Sequence, residues 1–196
     1  MVSGVSIPAY WLSTWIWDVI SFQPTVWLLI ILIVAFPKTE LLGKGDALKC
    51  VIGLLILFGS SVSGFSYLLS FLFSSSAGAQ IGILFVVFVL GLILSIVGLV
   101  LRILPDTHDI YMSTIRYIFM LFPPFALGEG LHSLVLITLY SYTELEGGKL
   151  YSPTDMAMSG LPLLYLGIET FAYLAATIAL DYAINTPYLQ SKLCGK

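Results

Sequence analysis

The sequence predicts an all-α integral membrane protein with four transmembrane helices, and three observations lead there. Residues 50 to 101 contain no Asp, Glu, Lys or Arg. Hydrophobic residues make up 59% of the 196 and charged residues 10%, where a soluble domain carries about 25% charged residues. The apolar stretches are continuous rather than alternating. That favours helices over barrel strands, the other way to satisfy backbone polar groups where water is absent. The mean hydropathy of +1.01 agrees.

The charge-free run is long enough for two crossings at about 20 residues each. Ser74-Ser75-Ser76-Ala77-Gly78-Ala79 interrupts it with small and polar residues, a turn signal. Two antiparallel helices are therefore expected at about 50–73 and 81–101. Upstream, Tyr10, Trp11, Trp15, Trp17 and Asp18 form an interfacial belt at the entry to a first helix of about 11–36. Pro24 lies inside it and predicts a kink. Residues 37–49 read as a polar loop with Lys38, Glu40, Lys44, Asp46 and Lys49, where Gly43 and Gly45 break any helix. In the second helix Gly59, Ser63, Ser66 and Ser70 share one face. Such a stripe serves close helix packing or the lining of a substrate path.

Beyond the paired helices, Arg102 to Arg116 reads as a solvated polar connection. Asp106, His108 and Asp109 lie in it, but without helical ligand spacing or a second cluster, so no metal site is assigned. Residues 116–143 follow, with uncharged halves at 117–128 and 130–143. Each half is too short to span about 30 Å of hydrocarbon at 1.5 Å per residue. Pro123-Pro124 and Gly128-Glu129-Gly130 interrupt the middle. A re-entrant helical hairpin is expected, entering and leaving on one face. Glu129 and His132 either pair on one helical face or stand at a bend near the headgroups, and the second reading is adopted. A last helix at about 153–182 starts with Ser152 as N-cap, Pro153 at the first position and Asp155 at the third, a variant capping box. Pro187 stops it. Glu169 is the carboxylate deep inside a span. Its readings are proton or ion coupling, substrate contact, or a buried hydrogen bond to a neighbouring Ser or Tyr.

Several classes are set aside. The net charge of −3 gives no basic footprint for nucleic acid. Cys50 and Cys194 define neither a disulfide framework nor a metal site. No catalytic residues are assigned, since no nucleophile–base arrangement can be defended. No basic region precedes the N-terminal apolar stretch, unlike a secretory signal peptide.

Several stretches together resemble the A subfamily of ABC transporters. Ser3-Gly4, Tyr10-Trp11-Leu12-Ser13 and Trp17-Asp18 resemble the start of that family's third helix. Tyr67 with Ser70-Phe71-Leu72-Phe73-Ser74 resembles the end of the following helix. Leu121-Phe122-Pro123-Pro124-Phe125-Ala126-Leu127-Gly128-Glu129-Gly130-Leu131 resembles its Phe-Pro-x-Phe-x-Leu-Gly-x-Gly-Leu signature, with Glu129 at a position often basic. Ser152-Pro153 and Glu169 match its last helix.

The resemblance implies the last four helices of a six-helix ABC exporter domain, with an exoplasmic hairpin before the final one. Residues 1–10 would lie in the cytoplasm beside a coupling helix, 11–189 would form part of a transmembrane domain, and 190–196 would be a cytoplasmic tail. It implies movement of membrane lipids, driven by ATP and Mg on a nucleotide-binding domain of the same or another chain. The sequence holds no Gly-x-x-x-x-Gly-Lys-Ser/Thr loop, so neither a cofactor nor ATPase activity is expected of this chain itself. Asp18, Tyr67, Pro123, Pro124, Gly128, Glu129, Gly130 and Glu169 are the candidate structural or transport positions. In this topology Lys38, Lys44, Lys49, Arg102, Arg116 and Lys149 lie on the hairpin side, against the positive-inside tendency. Two other functions fit the residues. One is a secondary transporter with Glu169 as coupling carboxylate, although no internal repeat of the kind found in many such folds is visible. The other is a small structural membrane protein.

Overall fold

The computed structural model describes residues 6–35, 45–142 and 152–185. Regular structure within them is helical throughout. Helix α1 spans Ile7–Ala35 and passes through Pro24 without ending there. It starts before the aromatic belt because Tyr10 N–H already bonds the Ser6 carbonyl at 3.1 Å. Helix α2 spans Gly45–Ser70. It begins inside the stretch expected to be loop, so Gly45 opens a helix rather than breaking one. Asp46 in the first turn suits the positive end of the helix dipole, and Lys49 pairs with it at 2.9 Å on the exposed surface. Helix α3 spans Ser76–Ile103. Extended Ser75 caps it, its side chain accepting from Gly78 N–H.

The expected polar connection at 102–116 is itself helical. Leu104 is extended, Pro105 takes the first helical position, and α4 runs Pro105–Ile110. A π-helical turn, Tyr111–Ile115, leads into α5, Arg116–Phe119. The wider turn brings both Tyr111 and Arg116 inward, where each is buried. The chain reverses at Met120–Phe122, and α6 runs Pro123–Tyr142. The proline pair therefore starts a helix, where a missing N–H costs nothing. Gly128 and Gly130 lie inside α6 and do not break it.

Residues 152–155 form a turn, and Ser152 N–H donates to Asp155 Oδ2 at 2.7 Å. The expected helix start at Pro153 is thus displaced. A π-helical turn follows at Met156–Gly160, with Met158 at φ −111° and ψ −116°, and α7 runs Leu161–Asn185. Among the described residues, four helices are long and apolar enough to cross a membrane: Ile7–Ala35, Asp46–Ser70, Ser76–Ile103 and Met158–Asn185.

Contacts fix the directions. Phe22 of α1 lies over Gly59 of α2 and Trp11 stacks near Phe71, so these helices are antiparallel. Gly53 faces Leu163, Ser61 bonds Glu169, and Gly64 faces Tyr173, so α2 and α7 run parallel. The arms before and after Met120–Phe122 return along each other, with Phe119 against Phe125 at 5.4 Å between ring centroids and Arg116 against Glu129. Pro124 meets Gly91 near the middle of the 28-residue α3, whereas Glu129 meets Arg102 at its end. The hairpin therefore enters beside the C-terminal end of α3, turns level with its middle, and returns the same way. At the apex Tyr173, halfway along α7, donates its hydroxyl to the Leu121 carbonyl, and Phe122 packs on Phe65. The core is built from Val26 and Ile30 of α1, Cys50, Val51, Leu54 and Leu55 of α2, Ala126 and Leu134 of α6, and Leu166 of α7. The outer faces of α1 and α3 carry exposed Trp17, Trp27, Leu28, Leu84, Phe85 and Phe88.

Candidate functional site

The candidate residues fall into three polar sets. The first joins Asp18 and Tyr67 at the end of the bundle away from the hairpin mouth. The Tyr67 hydroxyl donates to the Asp18 carboxylate. Trp11 packs on Tyr67 with ring centroids 5.2 Å apart and donates from Nε1 to Asp181 Oδ2 at 2.8 Å. Trp15 Nε1 donates to the Ser60 carbonyl at 3.1 Å. Helices α1, α2 and α7 are thereby fastened together at one level. An indole has an apolar body and a single N–H, which suits it to this interfacial depth.

The second set is Glu169 with Ser61, both buried between α2 and α7. Ser61 Oγ donates to Glu169 Oε2 at 3.1 Å. Glu169 Oε1 has no hydrogen-bond partner among the described residues. The carboxylate thus faces protein, and its neighbour is one of the serines the sequence offered. The small-residue stripe explains the proximity. A Cβ on Gly64 would stand 3.1 Å from Tyr173 Cβ, so the two helices touch closely here.

The third set organises the hairpin, and here the adopted reading of Glu129 needs correction. Glu129 is not a headgroup residue at a bend. It is 6% exposed, inside α6, and its Oε1 is 2.9 Å from Arg116 Nε and 3.4 Å from Arg102 Nη2. Arg102 Nη1 donates to His132 Nδ1 at 3.0 Å. A guanidinium has only donors, so in this bond the His132 ring nitrogen accepts. One carboxylate therefore joins both arms of the hairpin to the end of α3. The sequence reading missed Arg102 and Arg116 because it took them for loop charges. The signal was present: a carboxylate among apolar residues needs a cation, and two arginines flank the stretch.

The remaining candidates set distances. A Cβ on Gly130 would stand 2.7 Å from Leu54 Cδ2 and 3.3 Å from Pro162 Cβ, and one on Gly128 would stand 3.1 Å from Ser95 Oγ. Both glycines let α6 lie close to its neighbours. Pro123 is buried, and Pro124 fills the space left by Gly91. Among the described residues no three His, Cys, Asp or Glu side chains are grouped so as to hold a metal ion.

Comparison with known proteins gives a coherent result. The family model described as ABC-2 family transporter protein matches residues 1–179. Retinal-specific phospholipid-transporting ATPase ABCA4 of Mus musculus is 26% identical over 185 residues, covering 92% of this chain and 8% of that protein. Phospholipid-transporting ATPase ABCA7 of Homo sapiens is 25% identical over 185 residues, with 93% and 9% covered. ATP-binding cassette sub-family A member 13 of Homo sapiens is 28% identical over 189 residues, with 92% and 4% covered. The chain spans less than a tenth of the length of these curated relatives. The resemblance to the A subfamily, carried most specifically by residues 121–131, thus extends along nearly the whole chain.

Proposed function

The chain belongs to the ABC-2 family of transporter proteins, and from that premise we propose that it is the membrane part of an ATP-driven transporter that moves phospholipids. The observation that carries the reading is the match, over more than nine-tenths of this chain, to proteins named phospholipid-transporting ATPases. ATP and Mg act on a nucleotide-binding domain, on the same chain or another. The 196-residue chain by itself turns over no ATP, since phosphoryl transfer needs a phosphate cradle, its Lys and a Mg ligand set. Geometry supports a mechanical role. The Trp11–Asp181 and Tyr67–Asp18 bonds couple α1, α2 and α7 at one end. Glu129 couples the hairpin to α3 at the other. A push at the cytoplasmic end is then passed on by helices that move together, while the exposed apolar faces of α1 and α3 stay in lipid.

The test uses the complete transporter that contains this segment, reconstituted in liposomes with a fluorescent phospholipid. Protection of the probe from dithionite should change with ATP and not with a non-hydrolysable analogue. Movement that ignores ATP, follows a proton or sodium gradient and is abolished in Glu169→Gln would replace this reading with secondary transport. No movement of any phospholipid under either drive would leave the chain a structural membrane protein.

A further inference from the structure

Between α3 and α6 lies a groove of about 240 Å³, whose lining includes Ser95, Leu99, Arg102, Phe125, Glu129 and His132. Its walls are mostly hydrocarbon, and its polar groups gather at one end. That end lies at the mouth of the hairpin, where α3 finishes. Two arginines stand there against the one glutamate, so the cluster keeps one net positive charge. The exposed Asp106 and Asp109 of α4 form no ion pair with it among the described residues. Arg116 is spent on Glu129 and fully enclosed, its side chain 4% exposed. Arg102 is different: its side chain is 15% exposed and it lines the groove. A guanidinium has several N–H donors in a planar fork. Arg102 directs one nitrogen to His132 and another to Glu129, which leaves further N–H groups for a ligand.

We propose that this groove binds the phosphate of a phospholipid headgroup, with Arg102 as its principal ligand. Charge complementarity selects the occupant: a cationic fork at the end of an apolar groove suits a phosphate carried on hydrocarbon. Arg and phosphate form short, charge-assisted bonds, and basic pockets between membrane helices bind lipid headgroups. The groove holds a headgroup and the first part of a tail rather than a whole lipid. The rest of each tail lies along the outer face of α3, where Leu92, Ile96 and Leu99 are exposed. The site needs no ATP and stands whether or not the segment works in transport.

The test measures phospholipid retained by the full chain in detergent, by native mass spectrometry, with dioleoyl phosphatidylglycerol as probe. Dioleoylglycerol serves as the same tails without phosphate, and inorganic phosphate as the anion without tails. Wild type should bind phosphatidylglycerol and neither of the others. Arg102→Gln should weaken it about tenfold or more, the loss expected for hydrogen bonds to a charged group. Leu99→Trp fills the groove from its exposed rim and leaves every charge in place. It should weaken binding comparably, so it carries the test if Arg102→Gln does not fold. Lys49→Gln removes a surface cation elsewhere and should bind as wild type. The proposal is overturned if Leu99→Trp and Arg102→Gln retain the lipid as wild type does. It is also overturned if dioleoylglycerol binds equally, or if inorganic phosphate occupies the site as tightly. The measurement contains no ATP, so its failure leaves the transport reading untouched, and failed transport leaves this site standing.

Discussion

Replacing Glu129 by Leu should destabilise the protein by about 3–5 kcal/mol, because it leaves a buried cation without its partner. The structure sets the upper end of that range. Arg116 is 3% exposed as a residue, so its guanidinium cannot turn to water once the carboxylate is gone. Arg116 Nη2 already lacks a hydrogen-bond partner among the described residues, so no second acceptor stands ready. Arg102, whose Nη2 is 3.4 Å from the same oxygen, becomes an unscreened like charge nearby. The double variant Glu129→Leu with Arg116→Met removes both buried charges and keeps their volume. It should recover most of the loss, since apolar replacement of a buried pair is often neutral or stabilising. The assay is reversible denaturant unfolding in mixed micelles, with all four species of the cycle measured side by side. A loss under about 1 kcal/mol for Glu129→Leu, or a double variant no better than the single one, would refute the buried-pair reasoning.

Two further perturbations follow from the same geometry. Glu169→Gln keeps an acceptor for Ser61 and should stay within about 1 kcal/mol of wild type, whereas Glu169→Leu should lose about 1–3 kcal/mol. Equal melting of both variants and wild type would remove any hydrogen-bonding role for this residue. Gly91→Ala puts a Cβ 2.7 Å from the Pro124 ring and should cost about 1–3 kcal/mol in melting experiments. Gly167→Ala, with nothing within 4 Å, should gain about 0.5–1 kcal/mol from chain stiffness. The reverse order would mean that the hairpin apex does not lie against α3.

The four spans were legible because a membrane crossing is a statement about length and apolar composition, both visible in one sequence. The hairpin was legible at its turn, where the proline pair interrupts the chain, but not through the lengths of its halves. Helix α6 runs 20 residues, about 30 Å at 1.5 Å per residue. It is the contacts of Pro124 with Gly91 and of Glu129 with Arg102 that return it to the same face. What the sequence concealed was the use of its punctuation. Gly128 and Gly130 read as breakers by propensity, yet tertiary contact with Ser95, Leu54 and Pro162 recruits them inside a helix. Gly45 read as a stop and proved to be a start, because Asp46 and Lys49 fit a first turn. At the site, Glu169 was recognisable as a carboxylate at a costly depth, whereas Asp18 read as part of the interfacial belt and Tyr67 entered through the family resemblance. Their pairings were not legible, since Tyr67 and Ser61 lie 49 and 108 residues from Asp18 and Glu169, the groups they bond. The same distance problem hid the role of two arginines. Arg102 and Arg116 counted as hairpin-side loop charges, but both pair with Glu129 inside the fold, and the asymmetry against the positive-inside tendency stands. The loop lysines Lys38, Lys44 and Lys149 lie outside the described residues.

Everything assigned to the hairpin depends on its entering and leaving by one face of the membrane, and labelling decides that directly. Single cysteines are placed at Ser113 on the outer arm, at Ser152 before the last helix and at Ser75 between α2 and α3, all exposed, in a background with Cys50 and Cys194 replaced by serine. An impermeant thiol reagent applied to sealed, oriented vesicles should modify positions 113 and 152 from the same side and position 75 from the opposite side. Modification of 113 and 152 from opposite sides would establish a fifth crossing and contradict the re-entrant hairpin.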